Sequence, residues 1–170
     1  MKLIPIVLIL STIVSCRNIS EKHSTDSRPG KNEMADLNKY LVQKDRERIL
    51  NYIERKDLKM QESKTGLWYQ ILKEGEGTLF TDNNKIVMEY ECSLLDGTVC
   101  YTSEKLGRKE LVLGRSEMEP GMNEGLRLLR PGSQATFIFP PYLAYGLVGD
   151  RKMIPSRAII VYNVNILQSK

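Results

Sequence analysis

Side chains with reactive chemistry are few in this chain of 170 residues, which contains three cysteines and one histidine. His23 lies in a polar stretch, and no two cysteines have the spacing of a metal-ligand motif. The sequence also shows no Ser-His-Asp arrangement, which nucleophilic catalysis by a serine would need. We therefore predict that the protein uses no metal and no other cofactor.

Cys16 stands in a context that predicts lipid attachment. Residues 1–15 begin with Met1 and Lys2 and continue as an apolar run, which is typical of a signal peptide and short for a membrane span. Residues 13–16 resemble a bacterial lipobox, in which a signal peptidase cuts before a cysteine that carries diacylglycerol. The alternative is an incidental thiol beside an ordinary cleavage site. Lipidation predicts an extracytoplasmic domain anchored to a membrane of the cell envelope, and we expect the outer membrane.

The segments after Cys16 predict a tether and then a helix. Residues 16–32 are polar and rich in charge, Gly and Pro, which predicts a flexible tether. Residues 33–62 contain apolar side chains at near-helical spacing and alternating charges, which predict an amphipathic helix with a solvated face rather than a nucleic-acid surface. Two alternatives stay open for this helix: it packs on the following domain, or it binds a partner or a second copy. Its apolar positions are Met34, Leu37, Leu41, Ile49, Ile53 and Leu58.

Residues 63–170 predict one α+β domain. Segments rich in β-branched and aromatic residues indicate antiparallel strands near residues 67–73, 85–94, 99–101, 134–139 and 159–168. Asp96 and Gly97 form a hairpin turn between the second and third of them. One short helix begins at Pro120 and ends at Gly132. The sheet is expected to curl around this helix.

Four stretches, in order and with matching spacing, resemble the FKBP family. They are VMEYECSLLDGTV from Val87, LVLGRSEMEPGMNEGLRLLRPG from Leu111, FPPYLAYG from Phe139 and MIPSRAIIVYNVNIL from Met153. The resemblance covers roughly residues 66–170 and implies a curved antiparallel sheet wrapped around one short helix. It also implies peptidyl-prolyl cis-trans isomerase activity on proline-containing polypeptides. Residues 146–153 are short where some relatives insert a chaperone domain, so we expect no insertion.

The resemblance also implies which residues form an apolar pocket for proline. The hydroxyl of Tyr145 would meet a substrate carbonyl, and the backbone N–H of Glu119 would meet the ligand. The chain departs from the family pattern where Met122 replaces a tryptophan, Cys100 a phenylalanine and Tyr101 an aspartate, which predicts a reduced rate and weak binding of macrolide inhibitors. The implied catalytic residues are Tyr90, Tyr145, Ile154 and Tyr162, and the implied substrate-binding residues are Cys100, Tyr101, Met118, Glu119 and Met122.

Two functions are compatible with this pattern. The first is an isomerase that assists the folding of exported or envelope proteins. The second is an FKBP-fold binding module with weak or no catalysis, which acts in an envelope protein assembly. The helix of residues 33–62, followed by GLWYQIL from Gly66, is similar to isomerase lipoproteins associated with gliding motility. A disulfide between Cys92 and Cys100 depends on the length of the loop that joins their strands.

Overall fold

The computed structural model describes residues 30–167 and begins with one long helix. Helix α1 spans Lys31–Arg55, and the carboxylate of Glu33 accepts a hydrogen bond from the backbone N–H of Gly30 at its start. The helix ends before Asp57, whose φ of 51° is left-handed and cannot continue it. It therefore stops earlier than residue 62, where the predicted helix ends, and a strand already begins at Gln61.

Seven antiparallel strands of the described residues form one sheet. They are β1 Gln61–Glu62, β2 Trp68–Lys73, β3 Lys85–Leu94, β4 Val99–Thr102, β5 Lys109–Val112, β6 Gln134–Phe139 and β7 Ile160–Ile166, and the further helices are α2 Ser103–Leu106, α3 Pro120–Leu126 and the 3₁₀ turn Pro141–Leu143. Their order in the sheet is β1-β2-β6-β7-β3-β4, with β5 also paired to β3. β7 lies between β6 and β3 in the middle of the sheet.

The main core lies between the concave face of the sheet and α3. Met122 and Leu126 of α3 are fully buried there, against inward-facing side chains of the strands. Two glycines of α3 allow this close approach, because a Cβ on Gly121 would lie 2.7 Å from Phe139 Cδ1 and one on Gly125 would lie 2.9 Å from Phe137 Cε1. The helix thus sits directly on the aromatic rings of β6.

A second, smaller core lies on the opposite face of the sheet and holds α1. Ile49 is buried there among Trp68, Ile138 and other side chains of β2, β6 and β7. One turn earlier in α1, the buried carboxylate of Asp45 accepts a hydrogen bond of 2.7 Å from Arg157. The C-terminal half of α1 therefore packs on the domain, which is the first of the two alternatives given for this helix. Its N-terminal half is largely exposed, with Leu37 48% accessible.

The α+β fold expected from the sequence is confirmed. Strands β3 and β6 have the predicted bounds, whereas the two-residue β1, the short α2 and β5 were not predicted. The loop between β3 and β4 spans four residues and is closed by a hydrogen bond of 2.9 Å from Leu94 N to Thr98 O. Residues 144–159 form turns, bends and irregular segments without a helix or strand. Within residues 30–167, no helix combines the length and apolarity that a bilayer span requires.

Candidate functional site

The apolar and aromatic pocket residues named from the sequence lie in the main core or pack against it. β3 and β7 are neighbours, and this places the rings of Tyr90 and Tyr162 with their centroids 6.1 Å apart. Met122 and Ile154 are buried in the same cluster. Five of the pocket residues pack against this cluster as partly buried side chains: Tyr90, Cys100, Tyr101, Met118 and Tyr145.

Glu119 is a buried acidic residue beside Tyr145 and Tyr162. It precedes Pro120 at the start of α3, and its side chain is only 7% exposed. Its Oε1 atom accepts hydrogen bonds from the hydroxyl of Tyr145 and, at 3.1 Å, from the hydroxyl of Tyr162. One carboxylate oxygen therefore ties the beginning of α3 to β7 and to the segment that follows the 3₁₀ turn.

The two phenols that bind Glu119 are held in their neutral form. Burial raises the pKa of Tyr145, and the hydrogen bond to Glu119 raises this pKa further. Burial is also the main reason why the pKa of Tyr162 is raised, with the negative charge of Glu119 as the second cause. At neutral pH both hydroxyls are therefore hydrogen-bond donors, and in the described structure both donate to Glu119.

A second phenol-carboxylate pair closes the rim of the site. The hydroxyl of Tyr101 donates to Asp150. The other oxygen of Asp150 accepts a hydrogen bond of 2.8 Å from the backbone N–H of Ile154 and one of 2.8 Å from that of Lys152. This carboxylate thereby fixes the turn that carries Ile154. The position where the family pattern has an aspartate holds a tyrosine here, and Asp150 supplies a carboxylate from across the rim.

A cleft of about 360 Å³ opens beside Glu119 and Tyr145. Met118, Pro120 and Ala144 form its apolar part. The cleft offers a proline ring an apolar wall beside the hydroxyl of Tyr145. Its other lining residues are charged: Lys109, Glu117 and Glu119. Met122 lies beneath the surface with no exposed area, so it supports the site from below. A larger groove of about 610 Å³ between α1 and the β3-β4 loop contains none of the predicted residues.

Sequence reasoning missed the side chain of Glu119 and the whole of Asp150. For Glu119 the sequence implied only a backbone N–H donor, yet the structure uses its carboxylate as the hydrogen-bond acceptor of two tyrosines. The available signal was an acidic residue directly before Pro120 within a stretch that resembles a pocket wall. Asp150 carried no comparable signal, because acidic residues in loops usually face solvent.

Cys92 and Cys100 are both free thiols. Cys92 on β3 is paired in register with Tyr101, and a shift in the register leaves Cys100 without a direct partner. Burial raises the pKa of the Cys92 thiol to about 12. The Cys100 thiol is partly exposed and lies 3.6 Å from the carbonyl oxygen of Met153. Burial also raises the pKa of Cys100, but this thiol is accessible whereas that of Cys92 is covered.

We predict that a thiol reagent modifies Cys100 at least tenfold faster than Cys92 at pH 8, because the thiolate is the nucleophile and that of Cys92 is both scarce and covered. The measurement is the time course of thiol release in the folded protein with Cys16 replaced by serine. A Cys100→Ser variant serves as the control and should retain only the slow phase. Absence of any thiol titre under denaturing, non-reducing conditions would contradict the prediction and indicate a disulfide.

The described residues contain no group of three His, Cys, Asp or Glu side chains that could hold a metal ion. The arrangement offers an apolar wall and two neutral phenols beside a buried carboxylate. Such a site can bind a small apolar ring and orient a neighbouring carbonyl or N–H group. Cys16, together with the predicted signal peptide and most of the tether, lies outside the described residues.

Comparison with known proteins agrees with this geometry. The model of the family described as FKBP-type peptidyl-prolyl cis-trans isomerase matches residues 77–167. The chain is 38% identical over 104 residues to the probable FKBP-type peptidyl-prolyl cis-trans isomerase FkpA of Neisseria meningitidis serogroup B, an alignment that covers 61% of this chain and 38% of that protein. With FkpA of Escherichia coli K12 it shares 32% identity over 115 residues, which cover 68% of this chain and 42% of that protein.

Solved structures show the same fold. The crystal structure of FkpA from Escherichia coli superimposes with a TM-score of 0.65 at 28% identity, covering 80% of this chain and 63% of that one. The crystal structure of AtFKBP13 superimposes with a TM-score of 0.61 at 22% identity, covering 66% of this chain and 99% of that one. The chain thus spans about two fifths of the length of the curated relatives and nearly the whole of the second structure.

Proposed function

Because the chain belongs to the family of FKBP-type peptidyl-prolyl cis-trans isomerases, we propose that it catalyses the cis-trans isomerisation of X-Pro bonds in proline-containing polypeptides. The observation that carries the proposal is that Tyr90, Tyr145, Tyr162 and Ile154 lie in or against one core within the matched residues, with Tyr145 beside an open cleft. Similarity to two proteins named as FKBP-type isomerases supports the same activity.

The proposed mechanism needs no covalent step. Rotation about an X-Pro bond meets a barrier of about 18 to 20 kcal/mol, because the planar amide is stabilised by resonance. The twisted amide has lost that resonance and is less polar, so an apolar and water-poor cleft favours the twisted form over the planar one. Each tenfold acceleration needs about 1.4 kcal/mol of this preference. In this chain the cleft beside Met118 and Tyr145 would supply the apolar contact and the hydroxyl group.

The proposed setting is the cell envelope, where the domain would assist the folding of exported or envelope proteins. Cys16 would carry the lipid, residues 1–15 would act as the signal peptide, and residues 16–32 would hold the domain away from the membrane. The lipobox pattern and the polar composition of that segment support this arrangement. The helix of residues 33–62 and GLWYQIL from Gly66 resemble isomerase lipoproteins associated with gliding motility. We therefore include gliding motility among the processes in which the domain would act.

One observation favours a second candidate, a binding module with weak or no catalysis. In the described structure the hydroxyl of Tyr145 donates to Glu119, so it must leave that acceptor before it can donate to a substrate carbonyl. Breaking this bond opposes productive substrate contact. A domain that binds proline segments but turns them over slowly would follow from the same geometry.

We predict that a Tyr145→Phe, Tyr162→Ala double variant accelerates X-Pro isomerisation about a hundredfold less than the wild type does. The variant lacks two hydroxyls and one aromatic wall, which together are worth roughly 3 kcal/mol. The measurement is the cis-to-trans relaxation of X-Pro peptides at increasing concentrations of the full-length protein. Tyr142→Phe is the matched control, since Tyr142 is exposed and its hydroxyl donates to the carbonyl of Thr65. A folded wild-type protein that accelerates no peptide would support the binding module instead.

A further inference from the structure

The carboxylate of Glu119 has one oxygen that nothing in the described structure satisfies. Oε1 accepts the two tyrosine hydroxyls, whereas Oε2 is buried and has no hydrogen-bond partner among the described residues. The nearest cation is the Lys109 ammonium, 3.7 Å from Oε2, which is within ion-pair range but too far for a hydrogen bond. A buried polar atom without a partner costs about 1 to 3 kcal/mol, so a donor that reached Oε2 would be bound favourably.

The charges around the neighbouring cleft indicate what kind of donor this is. Glu117 and Glu119 line the cleft together with Lys109, so two carboxylates face one ammonium group. The side chain of Lys109 is 32% exposed and can turn toward solvent, whereas that of Glu119 is 7% exposed and cannot. A cation that enters the cleft therefore meets an excess of negative charge, and an anion is repelled by it.

We propose that Glu119 makes the site selective for proline that is flanked directly by lysine or arginine. The guanidinium or ammonium group would donate to Oε2 of Glu119 while the proline ring contacts the apolar wall at Met118. This inference rests on the proposed function, since it assigns a substrate class to the same site. A glutamate or aspartate beside the proline is disfavoured, because it would bring a third carboxylate to a cleft that holds one cation.

The test compares peptides that differ only in the residue next to proline. One series places lysine, leucine or glutamate before proline, and the other places them after it. The isomerisation rate of each peptide is measured with the full-length protein by NMR exchange spectroscopy, without a coupling protease. We expect the catalytic efficiency for the lysine peptide to exceed that for the glutamate peptide by at least about tenfold in one of the two series, which is about 1.4 kcal/mol. In Glu119→Gln the ratio should fall to within about threefold. Equal efficiencies in both series, or a ratio that survives in Glu119→Gln, would overturn the proposal.

Two further variants separate Glu119 from its surroundings. Glu117→Gln removes one negative charge from the rim of the same cleft and should leave most of the preference intact. Lys109→Met removes the competing cation and should increase the preference for lysine peptides. A loss in Glu117→Gln as large as that in Glu119→Gln would overturn the assignment to Glu119. Intact folding of each variant is checked through the fluorescence of Trp68, the only tryptophan.

Failure of catalysis is distinguished from failure of the preference by a binding measurement. The same peptides are titrated into isotope-labelled protein, and the dissociation constants are obtained from chemical-shift changes. Tighter binding of the lysine peptide that disappears in Glu119→Gln would sustain the inference even if no peptide is isomerised. Isomerisation of all peptides at equal rates, with equal affinities, would sustain the proposed function and eliminate the selectivity.

Discussion

Replacing Gly121 with alanine is expected to lower the free energy of unfolding by about 2 to 3 kcal/mol, although alanine is the better helix former by about 1 kcal/mol. The added Cβ would lie 2.7 Å from Phe139 Cδ1 and 2.9 Å from the carbonyl oxygen of Leu143. A backbone oxygen cannot move aside as a flexible side chain can. The start of α3 must therefore shift, and Glu119, which immediately precedes the helix, must shift with it.

Urea unfolding of the wild type and of Gly121→Ala measures this loss. Gly125→Ala is the matched comparison in the same helix, because the three nearest obstacles to its Cβ are all ring atoms of Phe137 and none is a backbone atom. We expect a smaller destabilisation for Gly125→Ala. If Gly121→Ala were as stable as the wild type or more so, α3 would not be packed as closely on β6 as described.

Replacing Ile49 with alanine is expected to weaken the packing of α1 on the sheet by about 3 kcal/mol. Ile49 is 1% exposed and is the fully buried apolar side chain of this helix. Because α1 covers the outer face of the sheet while the main core lies on the inner face, the helix can detach without unfolding the rest. The expected result is therefore a loss of amide protection in α1 at nearly unchanged protection of β3 and β7.

Hydrogen exchange resolved by residue measures this detachment. The fluorescence of Trp68 reports it independently, since this ring packs beside Ile49 and lies 5.6 Å from the guanidinium of Arg46 on α1. Leu37→Ala on the same helix is the control and should change little, because Leu37 is 48% exposed. Simultaneous loss of protection in the helix and in the sheet would show that they unfold as one unit.

The strands that the sequence predicts best are those that carry a strong local pattern. β3 and β6 contain β-branched and aromatic residues and are bounded by turn residues, and their limits match the prediction. β5, with the sequence KELV, was missed because only its pairing to β3 makes it a strand. The end of α1 was misplaced because Ile53 and Leu58 fit a helical spacing, whereas the left-handed Asp57 between them ends the helix.

The candidate site divides in the same way. Its aromatic and apolar members, such as Tyr90 and Tyr162, could be named because their sequence context resembles a family pattern. The hydrogen bonds could not be named, since Glu119 and Tyr145 are separated along the chain and meet only after β6, the 3₁₀ turn and α3 have packed. The same holds for Tyr101 and Asp150, whose pairing depends on how the turn before Ile154 folds.

The position of β7 in the sheet has a consequence for how the protein is made. Residues 160–166 are the last strand in the part of the chain that the structure describes, yet they join β6 on one side to β3 on the other. A chain that emerges gradually from a ribosome or a translocation pore holds two separate pieces of sheet until these residues arrive. Folding must therefore wait for the end of the domain, and the long sequence separation of its strand pairs makes that final step slow.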